Sequence, residues 1–201
     1  MKKGFRDSET CLNLMRAFAG ESQARNRYTF AADMAKKEKL AGVSAVFLYT
    51  ADQERAHAKV FFDLLKQCDG DKIEITGSYP VGPYNDIEKL LRAAQEAEYE
   101  EHGEVYPAFA AVAKEEGYLA VADAFRQIAE IEKTHGDRFG HLADLIEKER
   151  LFVAGGKTGW VCLNCGNIIE AKKAPPACPV CHHGQGYFVR LDFAPWVPGN
   201  E

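Results

Sequence analysis

The chain has 201 residues with 46% hydrophobic content, enough for one fair-sized domain and a small second one. Its net charge of −5, from 25 Lys+Arg against 30 Asp+Glu, gives no electrostatic basis for binding nucleic acid or an anionic membrane. No stretch approaches the roughly 20 apolar residues of a membrane span, and the basic start Met1-Lys2-Lys3 is followed by no apolar run, so the expectation is a cytoplasmic protein without a signal peptide.

Four long helical patterns follow in chain order, over residues 7–38, 40–68, 85–116 and 118–148. Asp7 or Ser8 is placed to cap the first, and the last carries an apolar stripe through Val121, Phe125 and Ile128. The first and second patterns are joined by a few residues near 39–42, the third and fourth around Gly117; such short links make antiparallel neighbours. The middle connection, residues 69–84, is long and turn-rich, with Gly77, Pro80, Gly82 and Pro83. Extended, it reaches roughly 50 Å, whereas a 28-residue helix is about 42 Å long, so it can cross the bundle end to end. The expected architecture over residues 1–150 is therefore mainly α, a ferritin-like four-helix bundle with one long crossover. Beyond Arg150 the character changes. Residues 154–159, Ala-Gly-Gly-Lys-Thr-Gly, read as a linker or turn, and residues 187–191 as a strand. A module as small as residues 151–201 needs a staple, and a structural metal is the expected one.

Two Glu-x-x-His motifs lie on helices: Glu54 with His57, and Glu132 with His135. Spacing of three places each pair on one face, one turn apart. In the fourth helix that face continues the apolar stripe, so the pair points inward. A carboxylate with an imidazole suits a transition metal such as iron or manganese. One such motif on a charged helix would ordinarily be a solvated face, but depth in the bundle argues otherwise. Glu54 and Glu132 are 78 positions apart, as are His57 and His135, and Glu21 and Glu98 are 77 apart. All four helices thus bring an acid to nearly the same depth, as in a duplicated hairpin. One Glu from each of two helices, with Glu-x-x-His from the other two, is the ligand pattern of ferritin-like di-iron carboxylate proteins.

A second signal is Cys162-x-x-Cys165 followed by Cys178-x-x-Cys181, a spacing strong for tetrahedral sulfur ligation by zinc or iron. Together with residues 19–28 (AGESQARNRY), 54–57 (ERAH) and 98–107 (EYEEHGEVYP), this tail resembles rubrerythrin over essentially the whole chain. The resemblance implies a di-iron bundle fused to a rubredoxin-like module holding a third iron, with zinc the alternative there. It implies that Glu54 and Glu132 bridge the two irons, that Glu21 serves one, and that Glu98 with His135 serves the other. It also implies a redox-linked exchange of His57 for a fifth carboxylate, Glu101. Charge counting agrees: two ferrous ions are balanced by four carboxylates, whereas two ferric ions call for another.

Tyr28, seven residues after Glu21, and Tyr106, eight after Glu98, return to the inward face; their hydroxyls are placed to bond the metal-bound carboxylates or simply to be satisfied core aromatics. Pro107 removes a helix donor and can loosen the helix near Glu101. Glu100, Glu104, Glu130 and Asp52 are expected to be solvated, and His102, His141, His182 and His183 to be surface, loop or capping residues. Cys11 and Cys68 fall at one end of the bundle and are read as free thiols. Gly166 suits the turn after the first cysteine pair; His182 stands where rubredoxins commonly have glycine. The implied activity is reduction of hydrogen peroxide to water, with electrons relayed through the four-cysteine iron from an external donor of the rubredoxin or flavoprotein reductase class, in a head-to-tail homodimer. The competing readings are a ferroxidase, disfavoured by the fused cysteine module and the fifth carboxylate, and a non-enzymatic zinc-ribbon interaction protein, disfavoured by the shared depth of the acids.

Overall fold

The computed structural model describes residues 4–82 and 85–194; Pro83 and Tyr84 of the crossover lie outside the described residues. After a short 3-10 turn, α1 runs Glu9–Lys37 and α2 Ala41–Leu64, forming the first hairpin. Ser8 caps α1 by accepting the Cys11 N–H at 3.1 Å. The carboxylate of Glu116, from the far hairpin, accepts the N–H groups of Glu9 and Thr10 at 3.1 and 2.8 Å. A charged cap supplied by another helix thus ties the two hairpins together.

The second hairpin departs from the expected continuous third helix. Residues Ile87–Glu100 form α3, Glu101–Val105 a π-helical turn, and Tyr106–Glu116 α4. Within the π-turn the Tyr106 N–H bonds to the carbonyl of Glu101, five residues back. Pro107 has no N–H to give Gly103, so the α-helical ladder is broken there in any case. Leu119–Glu147, α5, completes the bundle. Three helices stop alike, with a left-handed residue at Lys39, Gly117 and Glu149. The next N–H then returns to a carbonyl of the last turn: Leu40 to Ala35, Tyr118 to Ala113 and Arg150 to Leu145, at 2.9, 2.8 and 2.7 Å.

The bundle interior has two apolar layers. One is built around Leu14, Phe61, Tyr106 and Phe125, the other around Tyr28, Phe47, Leu91 and Phe139. Glu21, Glu54, Glu98, Glu132 and His135 lie between them at 0 or 1% exposure.

Residues 154–159, expected as a linker, belong instead to strand β1, Val153–Cys162. It is the central strand of an antiparallel sheet of order β2-β1-β3, with β2 Ile168–Lys173 and β3 Phe188–Arg190. The register slips between Val153 and Thr158, so the glycine-rich stretch is a bulged strand rather than a tether. Trp160, fully buried, and Phe188 centre the small core, which includes Cys162 and Cys178. The module sits on the α1–α2 turn. A Cβ on Gly186 would overlap the carbonyl oxygen of Lys39, and one on Gly42 would lie 2.7 Å from Val189 Cγ1. Glycine at both positions permits this approach.

Candidate metal centres

Six of the seven expected bundle donors converge. Glu21, Glu54, His57 and Glu132 form one group and Glu54, Glu98, Glu132 and His135 another, each with ligand atoms within 4.8 Å of one another. The shared members face both ways. Glu54 turns Oε2 to His57 Nδ1 (3.7 Å) and Oε1 to His135 Nδ1 (2.9 Å). Glu132 turns Oε1 to His57 (2.9 Å) and Oε2 to His135 (2.8 Å). Glu21 Oε2 completes the first group, 3.7 Å from His57, and Glu98 Oε2 the second, 3.6 Å from His135. The imidazoles stack, centroids 5.5 Å apart and 14° from parallel. Two atoms bound at right angles, each about 2.1 Å from one ion, are about 3.0 Å apart; the observed spacings have that scale.

The donor set fits cations rather than internal hydrogen bonding. Nine buried oxygen and nitrogen atoms of Glu21, Glu54, His57, Glu98, Glu132 and His135 have no aligned partner despite the short separations. Leaving these atoms without partners would be costly unless positive charge lay among them. The electrostatics agree. Burial opposes protonation of His135, yet Glu132, Glu54 and Glu98 outweigh it and push its pKa up to about 11. His57 is raised likewise by Glu132, Glu21 and Glu54 against burial. Burial, reinforced by the neighbouring Glu54 charge, lifts Glu98 to about 8 and Glu21 well above the carboxylate range. For Glu54, burial is overcome by His135 and His57, which hold its carboxyl low.

Both tyrosines meet carboxylates, reciprocally. Tyr28 on α1 donates its hydroxyl to Glu98 Oε1, and Tyr106 on α4 donates to Glu21 Oε1, leaving each Oε2 for the donor groups. Glu101 is not brought into either group. It sits on the π-turn at a cavity whose lining includes Gly20, Arg16, Tyr79 and Tyr106. Burial, then the charges of Glu98, Glu132 and Glu54, raises its pKa well above the ordinary value.

Sequence reasoning missed the other side of this cavity. Tyr79 of the crossover bonds the Arg16 carbonyl at 2.9 Å, and a Cβ on Gly20 would stand 3.6 Å from the Tyr79 ring and 3.9 Å from Glu101 Oε1. Only Gly20, adjacent to Glu21, carried any signal. His102 was also misjudged: half-buried, its Nδ1 lies 2.8 Å from the Ala129 carbonyl of α5, fixing the π-turn. His141 packs on Phe193 at 5.6 Å. Glu100, Glu104, Glu130 and Asp52 are exposed as expected.

In the module all four cysteines converge, with Sγ–Sγ separations of 3.7 Å for Cys162–Cys181 and 3.6 Å for Cys165–Cys178. Four thiolates about 2.3 Å from one ion in a tetrahedron lie about 3.8 Å apart. Two like turns hold them. Gly166 (φ 76°) gives its N–H to Cys162 O at 2.8 Å, and His182 (φ 61°) gives its own to Cys178 O at 2.9 Å. The backbone N–H of His183 draws the Cys181 thiol down to about 6. Cys165 receives the Asn167 N–H, but desolvation and the other three sulfurs drive it up to about 12, a crowding that a cation among them would relieve.

Among the described residues no helix is long and apolar enough to cross a membrane. A family model described as rubrerythrin matches residues 13–143, and one described as the rubrerythrin rubredoxin-like domain matches residues 160–189. The chain is 46% identical over 188 residues to a rubrerythrin of Porphyromonas gingivalis, covering 94% of this chain and 92% of that one. It is 47% identical over 188 residues to rubrerythrin-1 of Clostridium acetobutylicum, covering 92% and 96%. Fully reduced, all-ferrous nigerythrin superposes with a TM-score of 0.62 at 25% identity, over 92% of this chain and 90% of that one. A bacterioferritin of Desulfovibrio desulfuricans shares the bundle fold, with a TM-score of 0.63 at 22% identity over 72% and 84%. With a carboxylate–histidine site for two irons and a rubredoxin-like cysteine tetrad in the matched order, the chain belongs to the rubrerythrin family of iron oxidoreductases.

Proposed function

We propose that the protein reduces hydrogen peroxide to water, taking electrons from an external donor through the four-cysteine iron. The carrying observation is Glu101, a half-buried acid on the π-turn at the wall of a cavity, near enough to Glu98, Glu132 and Glu54 for their charges to act on it. Glu54 and Glu132, common to both donor groups, would serve both irons; Glu21 with His57 would hold one, and Glu98 with His135 the other. When bound, the irons would supply two electrons and the Lewis acidity that polarises the peroxide bond.

The chain supplies the rest. Tyr28 and Tyr106 hold the outer carboxylates in place through one oxygen each. Glu101, whose pKa is raised by burial and by the charges of Glu98, Glu132 and Glu54, is the acid at the cavity wall that would give a proton to an oxygen leaving as water. Ionised, Glu101 would be a further carboxylate to hold the iron that His57 would otherwise serve. The apolar layers on either side exclude bulk water.

The four-cysteine module rests on the Gly42 end of α2, whereas Glu54 lies twelve residues along, roughly 18 Å down the helix axis. That separation supports electron delivery between chains, the module of one protomer serving the bundle of its partner in a head-to-tail homodimer. The test is anaerobic purification, metal counting, and rapid-mixing reoxidation of the reduced protein. Peroxide turnover much faster than dioxygen turnover, with iron at all three positions, is expected; equal rates, or zinc at the cysteines with turnover undiminished, would overturn the assignment.

A further inference from the structure

Two cysteines take no part in either metal centre. Cys11, in the first turn of α1, and Cys68, in the 3-10 turn after α2, place their sulfurs 3.6 Å apart although 57 positions separate them. Cys11 is fully buried, while Cys68, 7% exposed, lines an open cleft with Met15, Lys66, Asp69 and Lys72. The pair lies at the crossover end of the bundle, opposite the α1–α2 turn that carries the cysteine module.

We propose that Cys11 and Cys68 are a peroxide-oxidised dithiol that closes to an intramolecular disulfide, with Cys68 the sulfur attacking peroxide and Cys11 the sulfur resolving it. The asymmetry follows from access and anchoring. Only Cys68 faces the cleft. Cys11 is fixed in a 29-residue helix by the bond from its N–H to Ser8 Oγ. Cys68 sits in a single 3-10 turn after α2, two residues before Gly70, whose φ is +81°. Closing from 3.6 Å to the roughly 2.05 Å of a disulfide asks a relative shift of the two sulfurs of only about 1.5 Å. Burial, and then the contact with Cys68, raises the Cys11 thiol to about 12, in keeping with a sulfur that keeps its proton until it resolves.

The chemistry balances. The Cys68 thiolate attacks one peroxide oxygen; the O–O bond breaks, leaving a sulfenic acid and hydroxide. Cys11 sulfur then attacks that sulfur; the S–O bond breaks, and the oxygen leaves as water with the Cys11 proton. Two thiols and one peroxide give one disulfide and two waters, the two electrons coming from the sulfurs. The step needs no turnover at iron and so does not rest on the proposed peroxidase function.

The test uses the full-length holoprotein in its oxidised form with no electron donor, so that the metal centres consume no peroxide. After hydrogen peroxide, free thiols are alkylated under denaturing conditions and peptides are mapped. The expected result is loss of both alkylatable thiols and a Cys11–Cys68 linked peptide two hydrogens lighter than its parts, reversed by dithiothreitol. A Cys11→Ala variant should instead trap a sulfenic acid at Cys68, read by dimedone labelling. Persistence of both thiols, a linkage between two chains, irreversible sulfinic acid at Cys68 in the native sequence, or dimedone labelling of Cys11 in a Cys68→Ala variant would each overturn the proposal.

Discussion

The reciprocal tyrosines allow a sharp test of how the cluster is held. In Tyr106→Phe only a hydroxyl is removed from a side chain that is 1% exposed, so packing against Phe61 and Phe125 is retained. Glu21 Oε1 loses its partner, while Oε2 still faces His57. A buried hydrogen bond to a charged acceptor is worth about 1.5–3 kcal/mol, which corresponds to about 10–150-fold in an equilibrium constant. Independently, removing a group that orients a metal-bound ligand costs about 10–100-fold in affinity. The agreement sets the expectation: titration of the metal-free protein with ferrous ion against a competing chelator, under anaerobic conditions, should show one of two binding steps weakened by about 10–100-fold. Tyr28→Phe should weaken the other step, because Tyr28 serves Glu98. Circular dichroism matching the native protein would confirm that the fold is intact. Affinities within about twofold of the native protein for both variants would refute the reasoning, since the hydroxyls would then be satisfied bystanders.

Other expectations follow from single residues. His182 holds a left-handed conformation that glycine adopts freely at the equivalent Gly166, so His182→Gly should stabilise the module by about 1 kcal/mol, read from denaturant unfolding followed by Trp160 fluorescence. Gly186→Ala should prise the module from the α1–α2 turn without unfolding either part, giving faster amide exchange at Leu40 and Val43 with unchanged cysteine-site spectra; unchanged exchange would refute it. Chelation at the cysteine tetrad should expose Trp160 while far-UV helicity persists, because two of the six buried core residues of the module are themselves tetrad cysteines. Gly20→Val adds bulk where a Cβ already contacts Tyr79 and Glu101; overpacking of about 1–3 kcal/mol should slow azide binding to the oxidised protein about 10-fold or more while metal content holds.

The metal centres were legible because their constraint is periodic. Glu21, Glu54, Glu98 and Glu132 repeat at fixed depth, and a helix of known pitch converts that depth into convergence. The cysteine tetrad was legible because two short knuckles fix its geometry locally. What escaped depends on partners distant in sequence. Glu116 gives no sign of capping α1 across more than a hundred residues, and His102 none of reaching Ala129. Tyr79 lies in a crossover whose path is set by what it packs on. The stretch Ala154–Gly159 was misread because its composition is that of a tether, while its pairing with β2 is a tertiary fact. Pro107 announced a weakness in the third helix but not its form.

That form has a consequence for the symmetry of the two hairpins. Glu21 and Glu98 are offset by 77 positions, but Tyr28 and Tyr106, like the Glu-x-x-His pairs, are offset by 78. Between these positions the second hairpin therefore holds one residue more than the first, and the π-turn at Glu101–Val105 is where the helix swallows it. The wide turn lets the helix regain its phase, so that Tyr106 still finds Glu21, and Glu101 rides on the slack. A single added residue thus distinguishes the two hairpins at the depth of the donor cluster, and Glu101 stands on one side alone.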